Sequence, residues 1–178
     1  KKEKPLPQFV KEADMDRLLD ESMWNMDRYE DVRARTIISV IYETGVRIAE
    51  LLSLDDAAVD MSACQLKVTG KGDKQRIIPF GAELRGVLQA YAGMRDAEVE
   101  KKSPAFFLTA DGMRMNYYSV RREIIKRLSS VCTLKKRSPH VLRHTFATAM
   151  LNNGAGIRIP RSNSLRKCMN RPIQGLDL

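Results

Sequence analysis

The 178-residue sequence lacks the features that mark several specialised classes of protein. It has no apolar run of about eighteen residues, which a membrane-spanning helix requires, and its start is not a signal peptide, so neither a membrane span nor secretion is expected. Three widely spaced cysteines without C-x-x-C spacing (Cys64, Cys132, Cys168) disfavour a disulfide scaffold or a thiolate zinc site and are typical of free thiols in a reducing cytoplasm. No internal repeat, Walker motif or acidic metal cluster is present.

The charge that the sequence does have is unevenly distributed. Residues 1–60 hold 9 basic and 14 acidic side chains, a net charge of −5, whereas residues 61–178 hold 22 and 8, a net charge of +14. The positive electrostatic potential of residues 61–178 favours binding to a polyanion, either nucleic acid or an anionic membrane surface. The alternative is that the lysines and arginines only keep the chain in solution.

Apolar periodicity predicts a mainly α-helical α+β domain with a small three-stranded antiparallel sheet. The first helix begins at Glu12, with an apolar face that includes Met15, Leu18 and Met23. Two strands, 65–69 and 76–80, flank a Gly-rich turn and predict a β-hairpin, and 105–108 predicts a third strand. Further helices are expected at 29–43 (ended by Gly45), 47–52, 83–91, 116–129 and 139–152.

Three regions are expected along the chain. Residues 1–10 contain two prolines and predict an interdomain linker, residues 11–156 form the domain, and residues 157–178 lack periodicity and predict an atypical tail. A basic loop is expected at 135–137.

His140 and Arg143 are candidates for binding an anion. On a helix that begins at Pro139 they are i, i+3 neighbours near the N-terminus, where free N–H groups favour a phosphate. Two structural histidines and a solvated arginine are the alternative reading. A zinc pair from His140 and His144 fits the spacing but has no third ligand.

Two further basic residues have contexts that suit phosphate chemistry. Arg47 opens a short helix three residues before Glu50, which can pair with its guanidinium. Lys71 lies between Gly70 and Gly72 at the hairpin tip, where a lysine can approach a phosphate oxygen or protonate a leaving group. An ordinary surface ion pair and a solvated turn are the alternatives.

Taken together, three ordered motifs resemble the tyrosine recombinase (phage integrase) family. They are Thr44-Gly45-Val46-Arg47-Ile48-Ala49-Glu50-Leu51, Gly70-Lys71-Gly72-Asp73-Lys74-Gln75-Arg76 and His140-Val141-Leu142-Arg143-His144-Thr145-Phe146-Ala147-Thr148. The resemblance covers about residues 5–156, and it identifies residues 11–156 as the catalytic domain.

The resemblance implies a role for each matching residue. Arg47 and Arg143 would bind the scissile phosphate, Lys71 would be the general acid, and His140 would assist proton transfer or position the phosphate. Glu50 would orient Arg47, His144 would give structural support, and Lys74 and Arg76 would contact DNA. The implied partners are double-stranded DNA and other recombinase subunits, four on two sites, with no metal or other cofactor and no membrane.

The tail departs from the family pattern, because the expected nucleophilic tyrosine near residues 174–177 is absent and no tyrosine follows Tyr118. A frameshifted or altered end, an inactive DNA-binding relative, and a tyrosine supplied by a partner subunit are the three explanations, and the first is favoured. The function predicted is that of a site-specific DNA recombinase catalytic domain deficient in its nucleophile. A non-catalytic DNA-binding module and a phosphohydrolase of small phosphate esters are the rival functions.

Overall fold

The computed structural model describes residues 9–70, 72–133 and 138–152, apart from the side chains of residues 151 and 152. Lys71, the basic loop at 135–137 and the tail at 157–178 lie outside the described residues, as does the predicted linker up to residue 8. The predicted boundaries of the linker and tail therefore stay predictions.

The described residues form helices packed beside a small sheet, as the sequence predicts. The sheet is antiparallel in the order β1-β2-β3, with Val68 paired to Arg76 and Leu66 paired to Ile78 across the hairpin. The elements are α1 (Glu12–Leu19), α2 (Tyr29–Thr44), α3 (Ile48–Leu52), β1 (Val59–Asp60), β2 (Gln65–Thr69), β3 (Gln75–Pro79), α4 (Ala82–Glu98), α5 (Tyr117–Val131) and α6 (Pro139–Asn152).

The third strand of the sheet differs from the predicted one. It is β1, whereas residues 105–108 make only isolated bridges, from Ala105 to Asp55 and from Leu108 to Arg114. The Leu108 N–H donates to the Tyr91 hydroxyl at 3.0 Å and its carbonyl accepts from the Tyr29 hydroxyl at 2.9 Å. Because side chains satisfy this backbone, the segment lies in the aromatic core and does not join the sheet.

The first helix is shorter than its apolar pattern predicts. Met15 and Leu18 are buried, but α1 ends at Leu19, and the Asp20 carboxylate accepts a hydrogen bond from the Ser22 N–H at 2.8 Å. This local bond starts a separate 3₁₀ turn, so Met23 is exposed. Helix α4, in contrast, continues to Glu98, seven residues past its predicted end at 91.

Gly45 determines how the end of α2 meets α6. It ends α2 with a left-handed φ of 61°, and a Cβ built there would lie 2.4 Å from the Phe146 ring of α6. Only glycine allows both the conformation and the approach. This contact places the start of α3, which follows Gly45, beside α6.

Buried polar contacts attach α5 to α2. Asp31 of α2, which is 7% exposed, forms an ion pair with Arg127 of α5, whose guanidinium also stacks over the Trp24 ring at 4.4 Å. Arg127 therefore faces the protein and not solvent. Within the described ranges, no helix is long and apolar enough to cross a membrane.

An acidic cavity of about 630 Å³ lies between α1, α2 and α4. Six carboxylate side chains line it: Glu12, Asp16, Asp20, Glu21, Glu43 and Glu83. Glu43 Oε2 is buried there and has no hydrogen-bond partner in the part of the chain that the structure describes. Burial, followed by the nearby charge of Glu83, raises the pKa of Glu43 to about 7.

Glu43→Gln should change how stability depends on pH. Because the folded-state pKa of Glu43 lies above its unfolded value, wild-type stability is lost as pH rises from about 4.5 to about 7. We expect the variant to match the wild type at pH 4 and to exceed it by about 2–3 kcal/mol at pH 8 in urea unfolding. Glu98→Gln, which removes an exposed carboxylate from α4, is the control, and an equal change of the pH dependence in both variants would contradict the assignment.

Gly45→Ala should destabilise the protein by about 2–4 kcal/mol. The added Cβ is strained in the left-handed backbone conformation, and it also clashes with the Phe146 ring. Gly93→Ala is the matched control, because a Cβ at this α4 position meets nothing within 4 Å. The control should stabilise by about 0.5–1 kcal/mol through higher helix propensity. Unfolding in urea measures both, and a Gly45→Ala variant as stable as Gly93→Ala would exclude the contact.

Candidate active site

Arg47 and Glu50 together open helix α3. The Arg47 backbone N–H donates to Glu50 Oε2 at 2.8 Å, and Arg47 Nη1 donates to Glu50 Oε1 at 3.0 Å. The predicted pair is therefore present, but it is not an ordinary surface pair. The Glu50 side chain is only 4% exposed, whereas that of Arg47 is 59% exposed.

Arg76 of β3 forms a second, bidentate pair with the same carboxylate. Its Nη1 donates to Glu50 Oε1 at 2.6 Å and its Nη2 donates to Oε2 at 2.9 Å. Each carboxylate oxygen of Glu50 thus accepts two hydrogen bonds. Burial alone would raise the pKa of Glu50, but the hydrogen bonds from Arg76 and Arg47 outweigh it and lower the pKa to about 2. Glu50 is therefore ionised at any physiological pH.

The hairpin tip also lies close to this cluster. The Gly70 N–H donates to the Lys74 carbonyl at 2.9 Å, and Gly72 and Asp73 have positive φ values of 76° and 58°, which closes a tight turn. A Cβ added to Gly70 would lie 3.4 Å from Glu50 Oε1. Gly70, which directly precedes Lys71 in the sequence, therefore lies beside Glu50. The Lys74 side chain is exposed.

Arg143 of α6 brings a third guanidinium to the cluster. Its Nη1 is buried and has no hydrogen-bond partner among the described residues. Burial and then the positive charge of Arg47 lower the pKa of Arg143, with Arg76 adding to the effect and Glu50 opposing it. Arg143 therefore lies within electrostatic reach of all three. Three arginines against one carboxylate leave the cluster with a net charge of about +2.

This arrangement is suited to binding an oxyanion. A buried N–H without an acceptor costs free energy, and an anion oxygen would both satisfy it and offset the excess positive charge. Arg143 and the exposed Arg47 offer fork-shaped donors that match phosphate geometry.

The two histidines lie on the same helix as Arg143. His140 is one turn before Arg143, His144 directly follows it, and both are exposed. Nothing in the described residues gathers three or more His, Cys, Asp or Glu side chains into a group that could hold a metal ion. The structure thus brings Arg47, Glu50, Arg76 and Arg143 together, and the roles of His140, His144 and Lys74 stay predictions.

Sequence reasoning missed the Arg76–Glu50 pair, although one signal for it exists. Arg76 lies opposite Val68 in the hairpin register, and paired residues share a face of the sheet. Val68 is 1% exposed, so Arg76 lies on the face of the hairpin that packs against the protein, where an acidic side chain can pair with it.

Arg114 fixes the far end of α3. Its Nη1 donates to the Leu52 carbonyl at 2.7 Å and its Nη2 pairs with Asp55 Oδ1 at 2.5 Å. These bonds occupy a carbonyl that the short helix leaves free, so both ends of α3 are held by side chains.

Comparison with known proteins identifies the family. A model described as the phage integrase family matches residues 8–159. The tyrosine recombinase XerC of Chlorobaculum tepidum is 34% identical over 176 residues, covering 88% of this chain and 52% of the relative. XerC of Bifidobacterium longum is 38% identical over 138 residues, covering 72% of this chain and 39% of the relative.

Solved structures agree with this. The crystal structure of XerA recombinase matches with a TM-score of 0.73 at 30% identity, over 86% of this chain and 52% of that chain. XerH in a post-cleavage complex with difH matches with a TM-score of 0.73 at 21% identity, over 84% of this chain and 44% of that chain, and so supports the fold alone. The fold is that of a tyrosine recombinase catalytic domain. The chain belongs to the phage integrase family, which confirms the resemblance, and it spans about half the length of the relatives it matches.

Arg143→Gln should remove the anion site without harming the fold, because it takes away an uncompensated charge. In the wild type, phosphate at a concentration of 100 times its dissociation constant should raise the free energy of unfolding by about 2.7 kcal/mol. The variant should show little of this stabilisation in thermal unfolding at matched ionic strength.

The control is Arg28→Gln, which precedes α2 and is about 24 Å along that helix from Gly45. Arg28→Gln should respond to phosphate as the wild type does. Equal phosphate stabilisation in the Arg143→Gln variant would rule out the site.

Proposed function

We propose that this chain is the catalytic domain of a site-specific DNA recombinase, whose arginine cluster binds the phosphodiester at which a strand is cut and rejoined. The observation that carries the proposal is the buried Nη1 of Arg143 beside Arg47, which has no hydrogen-bond partner among the described residues. Its need for an anionic acceptor is met by a non-bridging phosphate oxygen.

The chemistry assigned to the site is displacement at phosphorus. Negative charge develops on the equatorial oxygens in the transition state, and guanidinium groups held in advance stabilise it. Arg47 and Arg143 bind these oxygens, and Glu50 orients Arg47. Lys71 protonates the departing 5′-hydroxyl, and His140 assists the proton transfer or positions the phosphate.

The partner proposed is double-stranded DNA. The net charge of +14 over residues 61–178 favours a polyanion. Of the proteins with a similar fold, XerH was solved bound to its difH substrate and the Tn1549 transposon integrase in complex with transposon right end DNA. The exposed Lys74 would contact a backbone phosphate. Strand exchange would further require other subunits, four on two DNA sites, and His144 would support α6.

The attacking tyrosine is not supplied by the described residues. Tyr29, Tyr42 and Tyr91 are at most 8% exposed, and burial raises the pKa of Tyr42 to about 12 and that of Tyr91 further. Tyr117 and Tyr118 are exposed at the start of α5, outside any motif of the family. We therefore propose that these 178 residues bind the phosphodiester but do not attack it. The same observation favours the second candidate, a non-catalytic DNA-binding relative.

Duplex DNA binding and nicked suicide DNA test the proposal together. The dissociation constant should rise steeply with salt, and Lys74→Ala should reduce the log–log slope by about 0.9 while Arg28→Ala leaves it unchanged. Denaturing gels should show no covalent adduct with the nicked substrate. Absence of binding at low salt would overturn the assignment to DNA, and an adduct would overturn the absence of a nucleophile.

A further inference from the structure

The Arg76–Glu50 pair joins two elements that carry different parts of the proposed site. Glu50 and Arg47 lie at the start of α3, whereas Arg76 lies on β3, five residues after Lys71. In the order β1-β2-β3, β3 is an edge strand, paired among the described residues with β2 alone. Residues 72–77 of the hairpin are exposed. The two short bonds to Glu50 are therefore a major constraint on where this part of the hairpin lies relative to α3.

The geometry points to Arg76 as a positioning residue: its bidentate bond holds Glu50 ionised and oriented, so that Glu50 in turn holds Arg47 and the hairpin in a fixed relation. This inference rests on the proposed function for its relevance to DNA, but the contact itself does not. It differs from the direct DNA contact expected for Arg76, because its guanidinium already has an acceptor at 2.6 and 2.9 Å.

The donor geometry explains why this residue is an arginine. A carboxylate that is 4% exposed can stay charged only when its oxygens are satisfied. The planar fork of arginine satisfies both oxygens at once and fixes the plane of the carboxylate. A lysine supplies equal charge without that orientation. The position thus requires both the charge and the shape.

The titration of Glu50 is the direct test, and it needs no DNA. In Arg76→Gln, loss of the paired charge should raise the Glu50 pKa from about 2 by about 1–3 units. The pKa is measured from the ¹³C chemical shift of the Glu50 carboxyl group as a function of pH. The order parameter of Arg47 Nε–Hε should fall in the same variant. Arg76→Lys, which keeps the charge, should shift the pKa less and still lower Arg47 order.

Lys74→Gln is the matched control, since it removes an exposed charge from the same hairpin. It should leave both signals unchanged. An unchanged Glu50 pKa in Arg76→Gln, or an equal change in Lys74→Gln, would overturn the inference. If Arg76→Gln does not fold, the Arg76→Lys variant provides the test. An unchanged order parameter of Arg47 Nε–Hε in Arg76→Lys would then overturn the inference.

A double-mutant cycle separates positioning from direct DNA contact. If Arg76 acts through Glu50, Arg76→Gln should weaken DNA binding in the wild type but hardly change it in a Glu50→Gln background, and the salt slope should stay the same. An equal loss in both backgrounds, with a slope reduced by about 0.9, would mean that Arg76 contacts a phosphate directly. Because wild-type DNA binding is measured separately, failure of this cycle is distinct from failure of the proposed function.

Discussion

The buried carboxylate of Glu50 is the interaction on which the candidate site depends. It accepts four hydrogen bonds, two from Arg47 and two from Arg76, so it sets the position of both arginines. A single negative charge, however, does not neutralise three arginines. The remaining positive charge and the Arg143 Nη1, for which the described residues offer no acceptor, together make an anion the missing component of the cluster. The excess positive charge therefore lowers the stability of the site without an anion and raises its affinity for phosphate, a trade-off that is common at functional sites.

The fold serves mainly to bring three distant chain segments to this carboxylate. Gly45 turns the chain from α2 into α3 and lets Phe146 pack against it, which places α6 and Arg143 beside Arg47. The hairpin supplies Arg76 from the face of β3 that it shares with the buried Val68 of β2. Arg114 holds the opposite end of α3. Each connection relies on a close approach or a paired charge, so small side-chain changes far from the phosphate should alter the site.

Local sequence patterns predict most of the helices and strands, and they predict the Arg47–Glu50 pair within the arginine cluster. The helix over 29–43, its glycine end and the hairpin follow from periodicity and turn residues, and the spacing of Arg47 and Glu50 predicts their pair. The failures have non-local causes. Residues 105–108 are strand-like in composition, but tyrosine hydroxyls from α2 and α4 take the backbone bonds of Leu108. The adjacent Ile77 and Ile78 obscure which face of β3 is buried, so the pairing of Arg76 with Glu50 does not follow from the sequence, and only the register with Val68 indicates it. The DNA contact expected for Arg76 stays a prediction.

The central claim is that Arg47 and Arg143 bind one oxyanion between them. A crystal structure of the chain grown with tungstate, a heavy phosphate analogue, tests it most directly through anomalous density. The account predicts one tungstate within about 2.7–3.2 Å of both Arg143 Nη1 and the Arg47 guanidinium. A structure in which Arg143 Nη1 instead bonds a protein acceptor, with tungstate only elsewhere, would contradict it.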